Sequence, residues 1–162
     1  MAEIEIMKAE LEEQEAHPAL TLRAKVLEKD LPEHVVKCFG IIKAYMSKHG
    51  AKLNGYPYIA YYNINLDNLR GGGTWDMEIG FPVSIILSGI NEIKMSETQA
   101  AKTISCFYKG PYQGLGKAYS LLTEFIGENN LHFLNISYEY FYNSPENVPE
   151  DELLTKLVFL IK

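Results

Sequence analysis

The segment Pro57-Tyr58-Ile59-Ala60-Tyr61-Tyr62-Asn63 returns 80 residues later as Ser137-Tyr138-Glu139-Tyr140-Phe141-Tyr142-Asn143. Tyr58 matches Tyr138, Tyr62 matches Tyr142 and Asn63 matches Asn143. Aromatic residues at this density favour a pleated strand. Upstream, at the same offset and without a gap, Val35, Cys38, Phe39, Ile42, Tyr45 and Met46 correspond to Leu115, Ala118, Tyr119, Leu122, Phe125 and Ile126. Each set follows the spacing of a helix with one buried stripe. Downstream, Met77, Ile79 and Phe81 correspond to Leu157, Phe159 and Ile161. Three matches at one offset point to an internal duplication. The expectation is a single domain, 1–162, of two repeats at about 1–83 and 84–162.

Each repeat reads as strand, strand, helix, strand, strand. The first predicts strands over about 3–12, 19–27, 56–63 and 75–83 and a helix over about 32–49. Asp30 is placed to cap that helix, Pro32 fits its first turn, and Gly50 can close it. The second predicts strands over about 84–95, 99–108, 136–143 and 153–161 and a helix over about 112–129, entered through Gly110-Pro111. Gly71-Gly72-Gly73 reads as a flexible connector. It lacks the Lys-Ser/Thr that would make it a phosphate loop. The fold class is α+β: duplicated strand–helix–strand–strand units, antiparallel sheets with two helices, and a pseudo-twofold with a central cleft.

Strand side chains alternate between faces. Tyr138, Tyr140 and Tyr142 share one face, and Ser137, Glu139 and Phe141 the other. The face that keeps Tyr in both repeats is expected to meet the helix. The other then points to the cleft, where the repeats differ: Ile59 in one, Glu139 in the other. A carboxylate in the middle of an apolar strand is costly to bury alone. It reaches water or a backbone donor, or it awaits a cationic or protonatable ligand. Desolvation among aromatic rings would raise its pKa, and ring faces would add cation–π attraction. The same group could serve as a general acid or base. Tyr61 and Phe141 should share its side, with Ile59 across the axis. Tyr112 starts the second helix, as an overhanging ring or a plain plug. Trp75, the only tryptophan, follows the triglycine as a lid residue or a rim anchor. Glu78 is a further carboxylate that a neighbouring strand could pair.

Composition narrows the function classes. The 162 residues carry 21 acids against 15 Lys plus Arg, a net charge of −6. That balance disfavours direct nucleic-acid binding, which rests on neutralising phosphates. Aromatics make up 12%, with eleven tyrosines. Seven of these are absorbed by the duplicated strands and helix stripes: Tyr45, Tyr58, Tyr62, Tyr119, Tyr138, Tyr140 and Tyr142. Cys38 and Cys106 form no CxxC pattern, and a disulfide between them is neither required nor excluded. The four histidines show no ligand spacing, so no metal and no cofactor is expected. Without a basic-then-apolar start or a run of about 18 apolar residues, the expectation is a soluble cytoplasmic protein with no membrane contact.

Several motifs together resemble one family. They are His17-Pro18-Ala19, Glu78-x-Gly80-x-Pro82-Val83, Gly110-Pro111-Tyr112-x-x-Leu115 and Tyr138-Glu139-x-Phe141-x-Asn143-x-Pro145. Val148-Pro149-x-Asp151-Glu152-Leu153-x-Thr155 follows. Over nearly the whole chain they look like the GyrI-like small-molecule-binding domain, also the effector-binding domain of AraC-type and MerR-type multidrug regulators. The resemblance implies a duplicated strand–helix–strand–strand (SHS2) unit. It also implies a central cleft with a buried glutamate at Glu139 among aromatics, taking bulky and often cationic drugs. No helix-turn-helix part remains beside the two repeats, which points to the stand-alone branch. Members there resemble a DNA gyrase inhibitor or are hydrolases that open the cyclopropane of DNA-alkylating natural products. The family commonly shows Trp-Glu-x-Tyr where this chain has Tyr138-Glu139-Tyr140-Phe141, so the phenol expected at the place of Phe141 is absent. Three functions follow as expectations. The first is a binding protein for lipophilic small molecules, cationic ones among them, acting in drug sensing, sequestration or detoxification. The second is a hydrolase with Glu139 as acid or base. The third is a gyrase-inhibitor-like protein with DNA gyrase as partner.

Overall fold

A computed structural model describes residues 4–67 and 73–162. Its strands are β1 (Glu10–Gln14), β2 (Pro18–Leu27), β3 (Tyr58–Tyr61), β4 (Thr74–Pro82), β5 (Lys94–Glu97), β6 (Ala101–Lys109), β7 (Phe133–Phe141) and β8 (Leu154–Ile161). Its helices are α1 (Leu31–Lys48) and α2 (Gly116–Glu128). The strands form one eight-stranded sheet, ordered β1-β6-β8-β7-β3-β4-β2-β5, with antiparallel neighbours throughout. The two halves meet edge to edge at β3 and β7, not face to face.

The joint lies on a local twofold. Tyr58 opposes Tyr140, Ile59 opposes Glu139 and Ala60 opposes Tyr138. Ile59 therefore sits against the residue it matches in sequence. Other details recur across the axis. Gly50 closes α1 at φ 66°, with Ala51 N bonded to Met46 O at 2.9 Å. Asn130 does the same for α2 at φ 52°, with Leu131 N bonded to Ile126 O at 3.1 Å. Only glycine, and less readily asparagine, takes this left-handed conformation without strain. Asp30 stands at the α1 cap position, but its side chain makes no capping bond there. The matching asparagines each tie two chain segments together. Asn63 Nδ2 donates to Thr74 O while Asp76 N donates to Asn63 Oδ1. Asn143 Nδ2 donates to Glu152 O while Leu154 N donates to Asn143 Oδ1.

Both helices cover the same sheet face. In the first half, Cys38, Ile42, Tyr45 and Met46 of α1 pack on Leu20, Leu22, Ile59, Ile79 and Phe81. In the second, Ala118, Leu122 and Ile126 of α2 pack on Ile104, Cys106, Leu157 and Phe159. This is the face of Ile59 and Glu139, so the expected assignment of faces is inverted. The tyrosine face lies opposite and forms a third cluster around Tyr58, Ala60, Tyr138 and Val158. The crossing β1–β2 and β5–β6 connectors meet it. Gln99 N donates to Tyr138 Oη, Tyr140 Oη donates to Gln14 Oε1, and Gln14 Nε2 donates to Gln99 O. Tyrosine suits that surface because its polar tip finds backbone and amide partners that helix side chains would not supply.

Two strand bounds also differ from expectation. The strand expected over 3–12 is β1 at Glu10–Gln14, because Met7 turns at φ 57° and interrupts it. The strand expected over 84–95 shrinks to β5 at Lys94–Glu97, since 83–93 loops through Asn91 at φ 56° and finds no partner strand. Cys38 and Cys106 are both free, one in each core. Of the triglycine connector, Gly71 and Gly72 lie outside the described residues.

Tyr58 is wholly buried, and its hydroxyl has no hydrogen-bond partner among the described residues. An unsatisfied buried hydroxyl opposes folding. Tyr58→Phe should therefore leave stability unchanged or raise it by about 1 kcal/mol, readable as a shift of the urea midpoint.

Candidate functional site

Glu139 sits in the last third of β7, on the twofold joint, and is only 7% exposed. Tyr119 from the first turns of α2 reaches down to it, donating from Oη to Glu139 Oε2 at 2.6 Å. Ser137, two residues earlier on the same face, lies with its Oγ 3.1 Å from Tyr119 Oη. Since that phenol proton is used on Glu139, Ser137 is the donor to Tyr119. No other hydrogen bond to the carboxyl is present among the described residues. Burial pushes Glu139 up to about 7, and the Tyr119 hydrogen bond holds it from rising further. Burial, with Glu139 as the second cause, also lifts Tyr61, Tyr112 and Tyr119 above the usual phenol range.

The carboxyl opens onto a cavity of about 500 Å³ between the starts of α1 and α2. That falls within the roughly 300–1,000 Å³ of small-molecule sites. Tyr61, Trp75, Tyr119 and Ile64 form walls, with Glu28 and Lys117 at exposed positions. Tyr61 and Trp75 meet edge to face at 5.4 Å between ring centroids. Ile64 is set by a bulge in β7, where Asn135 takes φ 65° and exchanges hydrogen bonds with the Ile64 backbone.

Of the residues singled out in the sequence, Glu139, Tyr61 and Trp75 line this cavity. Ile59 is buried opposite Glu139, in the first-half core. Phe141 shares the face but packs between Phe39, at 6.3 Å, and Tyr112, at 5.8 Å. Tyr112 is 39% exposed in the turn before α2. Glu78 faces the other side of the sheet, where Tyr62 Oη donates to it at 2.7 Å. The sequence reading missed Tyr119, taking it for stripe core. A signal existed: at three matched positions, 39/119, 57/137 and 59/139, the first repeat is apolar and the second polar. Those three polar groups are the ones that bond one another. A second cavity, of about 370 Å³, lies on the tyrosine side beside Glu12, Tyr56, Tyr142 and Lys156. There Glu12 is already held by Lys156 and Ser105. Among the described residues, no group of three His, Cys, Asp or Glu side chains is arranged to hold a metal ion.

The sequence profile of the GyrI-like small molecule binding domain matches residues 7–162. The chain belongs to that family. No curated protein matches the GyrI-like chain by sequence. Solved structures do match in fold. The C-terminal domain of EcmrR superposes with a TM-score of 0.84 at 20% identity, covering 96% of this chain and 97% of that one. In an EcmrR–DNA complex the chain spans only 57% of its counterpart, with a TM-score of 0.82. SAV2435 bound to tetraphenylphosphonium superposes with a TM-score of 0.67 at 10% identity, covering 96% of this chain and 94% of that one. A hydrolase encoded by lin2189 from Listeria innocua gives 0.64 at 13% identity, covering 97% and 93%.

Within the GyrI-like domain, the Tyr119 hydroxyl is the one group that lowers the Glu139 pKa. Tyr119→Phe should raise it further above 7. The carboxyl signal followed by NMR titration should move to higher pH, while Ser137→Ala, one bond further away, should move it less.

Proposed function

We propose that this chain binds lipophilic small molecules, cationic ones among them, in the Glu139 cavity, and so serves in drug sensing, sequestration or detoxification. The observation that carries this reading is a desolvated carboxyl, tethered through one oxygen only, facing a cavity walled by Tyr61, Trp75 and Tyr119. In such a place an organic cation gains Coulomb attraction in low dielectric and cation–π contact at once. Its own apolar surface leaves water as it enters. The tetraphenylphosphonium bound to SAV2435 supports the ligand class.

Trp75 is the only tryptophan and lies in the wall, so its fluorescence reports occupancy. Titration with rhodamine 6G or tetraphenylphosphonium should give a saturable change. A permanent cation prefers the ionised carboxyl, so its affinity should level off above pH 7 and fall about tenfold per pH unit below it, over about two units. A flat signal at every pH overturns the reading.

A second reading is favoured by one detail. A carboxyl lifted to about 7, coupled through Tyr119 to Ser137, is matched to acid–base work at neutral pH. As a hydrolase, the chain would add water across a strained cyclopropane bond, hydroxyl to one carbon and proton to the other. Incubation with a cyclopropane-bearing alkylator should then give a product heavier by one water, lost with Glu139→Gln. Unchanged substrate leaves binding as the function.

A further inference from the structure

We propose that the end of the molecule built from the β4–β5 loop docks on an anionic lipid surface. Residues 79–91 carry no charged side chain. Within them Ile85, Ile86 and Ile90 are 45%, 73% and 50% exposed. Leu53, 48% exposed, joins them through its bridge to Val83. The loop is held in this form. Tyr45 Oη of α1 donates to Ser88 O, and Ile93 N donates to Ile90 O at 3.0 Å. Leu87 packs into the first-half core. Gly89 runs so close to β5 that a Cβ there would stand 2.3 Å from Ile93 O. Leu87 is thus the anchor, and the isoleucines around it are left in water by a fixed backbone.

Charge supplies the occupant. The chain as a whole is acidic, at −6, but the 83–93 loop carries a single acid, Glu92. Lys48, Lys52 and Lys94 are exposed around the patch, against Glu92 alone in the loop itself. Lys52 precedes Leu53, the Lys94 backbone lies against Gly89, and Lys48 ends the helix that holds Ser88. Among the described residues none of the three lysines has an ion-pair partner. Exposed isoleucines with exposed lysines on the flanking segments match an anionic bilayer: the apolar groups enter the boundary and each ammonium pairs with a headgroup. A protein partner would favour aromatic, Met and Arg anchors and few lysines, which is not what this patch offers. Among the described residues no helix is long and apolar enough to cross a membrane, and docking on the surface needs none. The expectation of no membrane contact rested on a missing signal-peptide pattern and a missing spanning run, neither of which bears on surface docking.

The test uses the full chain and co-flotation with vesicles of phosphatidylglycerol and phosphatidylcholine in equal parts, or of phosphatidylcholine alone. The chain should float with the first and much less with the second, and salt should release it. The double variant Ile85→Ser, Ile86→Ser should lose at least about tenfold in binding, and Lys52→Glu should lose binding to the anionic vesicles. Circular dichroism confirms folding, and tetraphenylphosphonium titration shows that the Glu139 cavity is untouched. Wild-type protein that stays behind with both vesicles overturns the proposal, as does a double variant that floats like wild type. Concentration-dependent dimerisation abolished by the isoleucine changes, without flotation, overturns it in favour of a second copy as occupant.

Discussion

Glu139→Gln should cost the protein about a hundredfold in affinity for tetraphenylphosphonium at pH 8 while making the empty protein more stable. The first effect is electrostatic. A charge about 4 Å from the ligand contributes roughly 4 kcal/mol at an effective dielectric of about 20. Partial desolvation offsets some of this, leaving about 2–3 kcal/mol, or roughly a hundredfold. The amide keeps the shape and can still accept from Tyr119, so the cavity should stay formed.

The second effect follows from linkage. The folded pKa of Glu139 is raised from the ordinary 4.5 to about 7. Between those values the folded state holds a proton that the unfolded state has lost, so stability falls as pH rises. Above 7 the ionised, buried carboxyl carries a constant penalty of about 3 kcal/mol. The glutamine variant lacks it. At pH 8 its melting temperature should exceed the wild type by roughly 5–10 °C, and near pH 4 the two should converge. A variant that binds the cation as well as wild type would falsify the assignment of Glu139. Equal melting at both pH values would show that the carboxyl is not desolvated.

Gly80→Ala is expected to be the most damaging single methyl in the sheet. A Cβ on Gly80 would stand 2.1 Å from Tyr58 Cζ and 2.5 Å from its Cε1. Tyr58 has no room to yield: it is wholly buried between Tyr138, at 5.2 Å, and Tyr140, at 5.5 Å. Overpacking of this kind costs about 3 kcal/mol, occasionally more. Urea unfolding should show a lower midpoint with an unchanged slope. Tyr58→Leu frees the space, so the double variant should lose less than the two single losses summed. Additivity would mean that the ring and the glycine do not depend on each other.

How far the sequence could be read depended on which residues carry a period. The helices and inner strands were legible because the apolar spacing around Ile42 and Leu122, and around Ile79 and Phe159, survives in both repeats. The edge strands were not: β1 is Glu10-Leu-Glu-Glu-Gln14, with most of its side chains exposed, so no buried face marks its ends. Alternation shows which residues share a face, but not which face meets the helices. The tyrosines were therefore assigned to the wrong side, while Glu139, Tyr61 and Trp75 come together along one cavity. Tyr119 escaped because an aromatic on a helical stripe normally means core. Its hydroxyl acquires meaning only once Ser137 and Glu139 are brought beneath it by the sheet.

The position of Glu139 on the joint between β3 and β7 carries a consequence of its own. Any residue on a twofold axis faces its counterpart, and in an antiparallel pair directly opposed Cβ atoms stand only about 5 Å apart. Two identical halves would therefore set glutamate against glutamate, and the two buried carboxylates could not both ionise. Covalently joined halves escape that symmetry, since each can change alone. Here one side of the pair is Ile59 and the other Glu139, so a single charge sits at the centre of a nearly symmetric frame. A ligand entering the proposed site would meet one acid, from one side, in one orientation.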